Sequence, residues 1–186
     1  MVSERDVVEE NGLVFEIWKV LTSRAVLNDH ARLGIDHDMF AKVRSLDQMQ
    51  MLRALDCDTP LLRFAQPDDV IARLLDHSDS KKFSTHIRDE IDTLVMDVNL
   101  VFLTNRWSAA RTSAIHAECA LGMSAPLIAR IRNCTVTDLK RAANSDIRLW
   151  KIAPHAMFFF HTALNPKLQQ SNRTFHATCA SSELIG

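Results

Sequence analysis

The sequence predicts an all-α protein, and three observations carry that expectation. Only 4 Gly and 5 Pro occur in 186 residues, too few for the many tight turns of an all-β fold. Apolar residues recur at the spacing of one helical face along most of the chain. Asp, Gly and Pro stand at the ends of those periodic stretches, where helices start and stop. With 47% hydrophobic and 24% charged residues, the composition is that of a folded globular protein.

Leu13 to Arg32 comes first, with Leu13, Ile17, Val20, Leu21, Leu27 and Ala31 in a helical period. Gly34 follows Leu33, where a helix end wants a residue that tolerates positive φ. Asp36 can cap the next helix, HDMFAKVRS, whose Met39, Phe40 and Val43 share a face that excludes Lys42 and Arg44. Asp47 can cap a third helix, QMQMLRAL, read with Met49, Leu52 and Leu55 inward. CDTP ends it, because Pro60 disfavours helix at the residue before it. LLRFA is a short extended or irregular apolar stretch, and QPDDVIARLLDH is a further helix with Pro67 near its first turn. His77–Thr85 is polar and Ser-rich, a linker, and a second long helix is expected to begin near Thr85 with Ile87, Ile91, Leu94, Val95 and Val98 as its spacing.

The same order then returns 88 positions later. ARLGIDHDMFAKVRSL, Ala31 to Leu46, is answered by CALGMSAPLIARIRNC, Cys119 to Cys134. Asn11 matches Asn99, Leu33-Gly34 matches Leu121-Gly122, and Ala41 to Arg44 match Ala129 to Arg132. Around Ser45 and Thr135 the register is read as slipping by two, pairing Leu46 and Met49 with Val136 and Leu139. It recovers at Arg63-Phe64-Ala65 against Lys151-Ile152-Ala153, and DDVIARLL then faces AMFFFHTA. This is an internal duplication on the scale of a small domain.

Other classes are excluded in turn. There is no stretch of about 18 apolar residues, so no membrane-spanning helix is expected. The start, MVSERDVVEENG, is acidic and lacks an apolar signal core, which makes the cytoplasm the default. Cys57, Cys119, Cys134 and Cys179 form no CxxC pair, so reduced thiols are expected and no metal site. The eight His include no HxH or HExxH, and no phosphate-binding loop, dinucleotide fingerprint or nucleophile elbow is present, so neither catalysis nor a cofactor is expected. Asp36, His37 and Asp38 are explained by a capped helix start.

Charge is divided along the chain. Residues 1–99 hold 12 Lys/Arg and 19 Asp/Glu, and residues 100–186 hold 10 and 4. Such a division suits an anionic partner on the second half, or attraction between the halves.

The two copies resemble the FlhD family of flagellar transcriptional regulators. The echo is RLGIDHDM, SLDQMQML and LRF in the first copy, and DVNLVFL, ALGM, TVTDLKRA and WKI in the second. It covers most of Asn11–Leu75 and Asp97–Leu164. The resemblance implies two tandem FlhD-like helical repeats, each a long helix, a Gly break, a helix-turn-helix-like pair and a further helix, forming an intramolecular pseudo-dimer. The corresponding division is residues 1–80 for the first repeat, 81–96 for a linker and the start of the second long helix, 97–175 for the second repeat and 176–186 for a polar tail. Also implied are a zinc-binding FlhC-like partner subunit, promoter DNA, recruitment of RNA polymerase and a cytoplasmic, nucleoid-associated location, with further self-association open. Relatives of this pair act on flagellar genes and as master activators of conjugative plasmids and integrative elements. The intersubunit cysteine of the relatives has no counterpart, since Pro60 stands near the matching position, so no covalent dimer of that kind is expected.

DNA contacts, if the chain makes them, are expected at Arg130, Arg132, Lys140, Arg141 and Arg148 of the second repeat, with Lys42, Arg44 and Arg53 as counterparts in the acidic half. A solvated helical face is the alternative for all of these. Trp18, Trp107 and Trp150 are read as core or dimer-seam residues. Met157, Phe158, Phe159 and Phe160 cannot all face one side of a helix, so they cover a partner or are buried on two sides, and the partner surface is favoured. The sequence therefore supports a transcriptional activator subunit, with a helical interaction scaffold or antagonist as the competing reading.

Overall fold

A computed structural model describes residues 4–23, 29–57, 59–76 and 89–163, and among these the chain is mostly helical. The order is α1 (Glu4–Ser23), α2 (Asp29–Arg32), α3 (His37–Ser45), α4 (Gln48–Leu55), β1 (Leu62–Phe64), α5 (Asp68–Leu75), α6 (Glu90–Thr112), α7 (Ala114–Cys119), α8 (Ala125–Arg132), α9 (Val136–Ala143), β2 (Trp150–Ile152) and α10 (Ala156–Ala163). The expected Ser-rich linker His77–Thr85 and the polar tail lie outside the described residues.

The local punctuation acts as the sequence predicts. Gly34 and Gly122 adopt φ of 61° and 63°, the left-handed conformation that a side chain would strain. Asp36 accepts from the Met39 amide at 2.8 Å and so caps α3. Asp47 caps α4 reciprocally: it accepts from the Gln50 amide at 2.8 Å while its own amide donates to Gln50 Oε1 at 2.9 Å. Such caps contribute about 1 kcal/mol each.

Three boundary or face expectations change. The first helix already begins at Glu4. The second long helix begins at Glu90 and not near Thr85, because Asp89 is extended and its carboxylate accepts from the Asp92 amide. The inward face of α4 is Met51 and Ala54, leaving Met49 67% and Leu52 43% exposed. Both choices have helical spacing. The small Ala54 is the one buried on a helix that packs against both α1 and α10. Of the extended and irregular forms open to the apolar stretch after Pro60, it takes the extended one: β1 pairs antiparallel with β2, flanked by Ala65 N donating to Leu149 O and Ala153 N donating to Leu61 O.

The two-residue slip is also absent from the element positions. Helices α4 and α9, strands β1 and β2, and helices α5 and α10 all stand 88 residues apart. In the helix pairs, buried Met39, Phe40, Val43, Leu46, Met51 and Ala54 answer buried Leu127, Ile128, Ile131, Cys134, Leu139 and Ala142 at that same offset.

The chain falls into two compact units. One comprises α1–α4 and α10, the other α5–α9, and the chain crosses between them at Leu62–Arg63 and at Lys151–Ile152. Each unit thus includes one helix from the opposite half of the sequence. In the first, α4 packs on α10 and α1, and Phe159 and Phe160 are fully buried. In the second, α6 packs on α7, α8 and α9, and α5 on α8 and α9, around Leu103, Ile131, Leu139 and Leu149.

The polar ties inside the units correspond. Asn11 is buried, donates to Cys57 O and Thr59 O at 3.2 Å each and accepts from Leu61 N at 3.0 Å. Asn99 is buried, donates to Ala143 O at 3.2 Å and Ile147 O at 2.9 Å and accepts from Leu149 N at 2.9 Å. Arg53 donates to Ala163 O at the end of α10 at 2.8 Å, and Arg141 donates to Leu75 O at the end of α5 at 3.3 Å. A helix leaves its last carbonyls without intrahelical partners, and a guanidinium there satisfies one of them and complements the helix dipole.

Candidate nucleic-acid interface

Helices α8 and α9 follow one another across the three residues Asn133 to Thr135. Ser124 caps α8 by accepting from the Leu127 amide at 3.3 Å, and its hydroxyl donates to Asp68 on α5. The turn, Asn133 to Thr135, is held from behind by Trp107, whose indole N–H donates to Cys134 O at 3.0 Å. Thr135 and Asp138 make a reciprocal cap at the start of α9: the Thr135 amide donates to Asp138 Oδ2 at 2.9 Å, and the Asp138 amide donates to Thr135 Oγ1 at 3.2 Å. These bonds from the Thr135 amide and hydroxyl, joined by Arg141, hold the Asp138 carboxyl at about 2, below its ordinary value. Burial raises the Cys134 thiol, which stays protonated and donates to Arg130 O at 3.4 Å.

The basic residues singled out by sequence divide into two sets. Arg130 pairs with Asp76 at the end of α5. Arg141 is held by Asp138 Oδ1 at 2.7 Å as well as by Leu75 O. Arg148 is half-buried, its Nε donating to Trp150 O at 2.8 Å and its guanidinium carbon 5.7 Å from the Trp150 ring centroid. Burial lowers its pKa, though an arginine stays charged in any case. Arg141 and Arg148 are partly buried against their own unit, while Arg130 makes its ion pair at the surface. Arg132, in the last turn of α8, and Lys140, on α9, are exposed, and no hydrogen bond or ion pair is seen from their side chains to the described residues.

In the other unit Lys42 is half-buried, Arg44 is exposed with its guanidinium carbon 5.8 Å from the Phe40 ring centroid, and Arg53 closes α10. The aromatic run on α10 is divided as well. Phe159 and Phe160 are core, while Met157 and Phe158 are half-buried, with Phe158 edge-on to Phe159 at 5.6 Å. Trp18 and Trp150 are buried and Trp107 is half-buried.

Regrouping the chain into units also changes the charge. Counted by sequence, the unit containing α5–α9 has 13 Lys/Arg against 11 Asp/Glu, because residues 63–99 bring 8 acids and 5 Lys/Arg to the basic stretch that follows. From the first half of the sequence to the second, Asp76 pairs with Arg130 and Asp68 accepts from the Ser124 hydroxyl. Sequence reading missed both acids. It noted the Asn11–Asn99 match but not the job those residues do. It also passed over Val136 and Thr137, exposed on the first turn of α9, Val136 to 52%.

Among the described residues no group of three or more His, Cys, Asp or Glu is placed to hold a metal ion, and no helix is long and apolar enough to cross a membrane. Comparison with protein-family models, with curated proteins and with solved structures gave no match to the chain.

Proposed function

We propose that the chain is a subunit of an FlhDC-type transcriptional activator, built from two tandem FlhD-like repeats as an intramolecular pseudo-dimer. In this reading it binds promoter DNA together with an FlhC-like zinc-binding partner in the cytoplasm and recruits RNA polymerase to flagellar or conjugative-element genes. The observation that carries the proposal is the unbroken 88-residue offset. It relates the Gly stops, the buried asparagines, the helix-turn-helix pairs, the strands and the helix-closing arginines. Such agreement at every level is what duplication of one folding unit leaves behind. For DNA, support comes from Arg132 and Lys140, exposed cations on a helix-turn-helix and free to meet phosphates or base edges.

A second reading, a helical scaffold or antagonist of such a regulator without DNA binding of its own, draws on the spent cations Arg130, Arg141 and Arg148. Co-expression with the cysteine-rich product of a neighbouring gene, followed by a mobility shift on promoter DNA, separates the two. A retarded complex whose affinity falls steeply with salt is the expected result. A stable protein complex that leaves the DNA unshifted and activates no transcription would establish the scaffold instead.

A further inference from the structure

The two helix pairs share a burial pattern but differ in the surface they turn outward. Gln48, Met49 and Leu52 of α4 occupy the positions that Val136, Thr137 and Lys140 occupy on α9. In a helix-turn-helix the second helix lies in the major groove with its first residues at the base edges. The α9 stripe suits that place. Val136 and Thr137 present methyl groups, which pack on the thymine methyl, and Lys140 presents an ammonium, which pairs with the O6 and N7 of guanine. Arg132 stands at the end of α8, on hand for a phosphate. No carboxylate competes on the stripe, because Asp138 is turned to Thr135 and Arg141.

The α4 stripe has the opposite character. It carries no cation, its Met49 and Leu52 are apolar and exposed, and it runs on to exposed Asp56 one turn later. A symmetric dimer of helix-turn-helix units reads an inverted repeat because both second helices carry the same side chains. This chain has the same two frames with unlike readers.

Resting on the DNA-binding reading, we infer that the chain reads one asymmetric site through α9 alone, a thymine step beside a guanine. The test uses tagged full-length chain isolated from its own cells with its associated proteins and offered a pool of randomised duplex DNA. The recovered motif is expected to contain one such element and no inverted copy. Lys140→Ala should reduce discrimination at the guanine by about tenfold, and Val136→Ala with Thr137→Ala should reduce it at the thymine by a similar factor. Met49→Ala with Leu52→Ala should leave the motif unchanged. All of these positions are exposed, and unaltered thermal melts verify that the variants are folded. An inverted-repeat motif, or base preferences untouched by the α9 substitutions, overturns the inference while leaving DNA binding in place. Recovery of no enriched DNA overturns the DNA-binding reading itself and the inference with it.

Discussion

Replacing Asn99 by Ala tests the tie between α6 and the segment that leads into β2. The side chain is fully buried and makes three hydrogen bonds, to Ala143 O, Ile147 O and Leu149 N, at 3.2, 2.9 and 2.9 Å. At about 1 kcal/mol net for each, their loss costs roughly 3 kcal/mol. The Leu149 amide, left buried without its acceptor, adds roughly 1–3 kcal/mol. A total of about 4–6 kcal/mol is expected. With a urea m-value of about 2 kcal/mol per molar, the unfolding midpoint of the unit should fall by about 2–3 M. Urea unfolding followed by circular dichroism measures the loss. Hydrogen exchange read peptide by peptide should place it in α6, α9 and β2. Asn99→Asp keeps an acceptor for Leu149 but sets carboxylate oxygens against two carbonyls, so it should be no better than Ala at neutral pH. Asn11→Ala, with its matching bonds to Cys57, Thr59 and Leu61, should cost about as much but in α1 and β1. A loss below about 1 kcal/mol in Asn99→Ala would show that the clamp contributes little, and the reasoning from its geometry would fail.

Arg53→Met and Arg141→Met should each destabilise by about 1–3 kcal/mol, since each removes a charged donor from the end of α10 or α5, whereas Arg132→Ala should leave the melting temperature within its error; differential scanning calorimetry on the three variants checks the order. Asp138 titrates in the folded chain at about 2, below its unfolded value near 3.8, so its contribution is fully present above pH ~4 and is lost as pH falls towards 2. Asp138→Asn should therefore lower stability at neutral pH and flatten the acid limb of the stability curve, and an unchanged slope between pH 4 and 2 would refute the assignment. Cys119 is exposed while Cys57 and Cys134 are buried, so brief alkylation of the native chain should mark Cys119 and spare the other two until urea is added, as peptide mapping by mass spectrometry will show.

Much of the local architecture was legible in advance because it depends on residues a few positions apart. A helix bond spans four residues and a cap three, so Asp36, Asp47, Gly34 and Gly122 could be assigned from their immediate neighbours. The 88-residue spacing needed only the order of such marks. Where two local solutions competed, sequence could not choose. On α4, Met49–Leu52 and Met51–Ala54 have the same spacing, and the packing of α1 and α10 selected the pair with the small residue.

Of the candidate interface, sequence alone located two short helices and the basic residues along them. It did not reveal which of those residues were already engaged. That was decided when α5 and α10 each joined the unit of the opposite half, bringing Asp76 to Arg130, Leu75 O to Arg141 and Ala163 O to Arg53 across long separations in sequence. Such pairings depend on which helices pack together and not on local propensity. Periodicity and caps therefore determined the helices of this protein, while tertiary packing determined which of its charges remain free to meet another molecule.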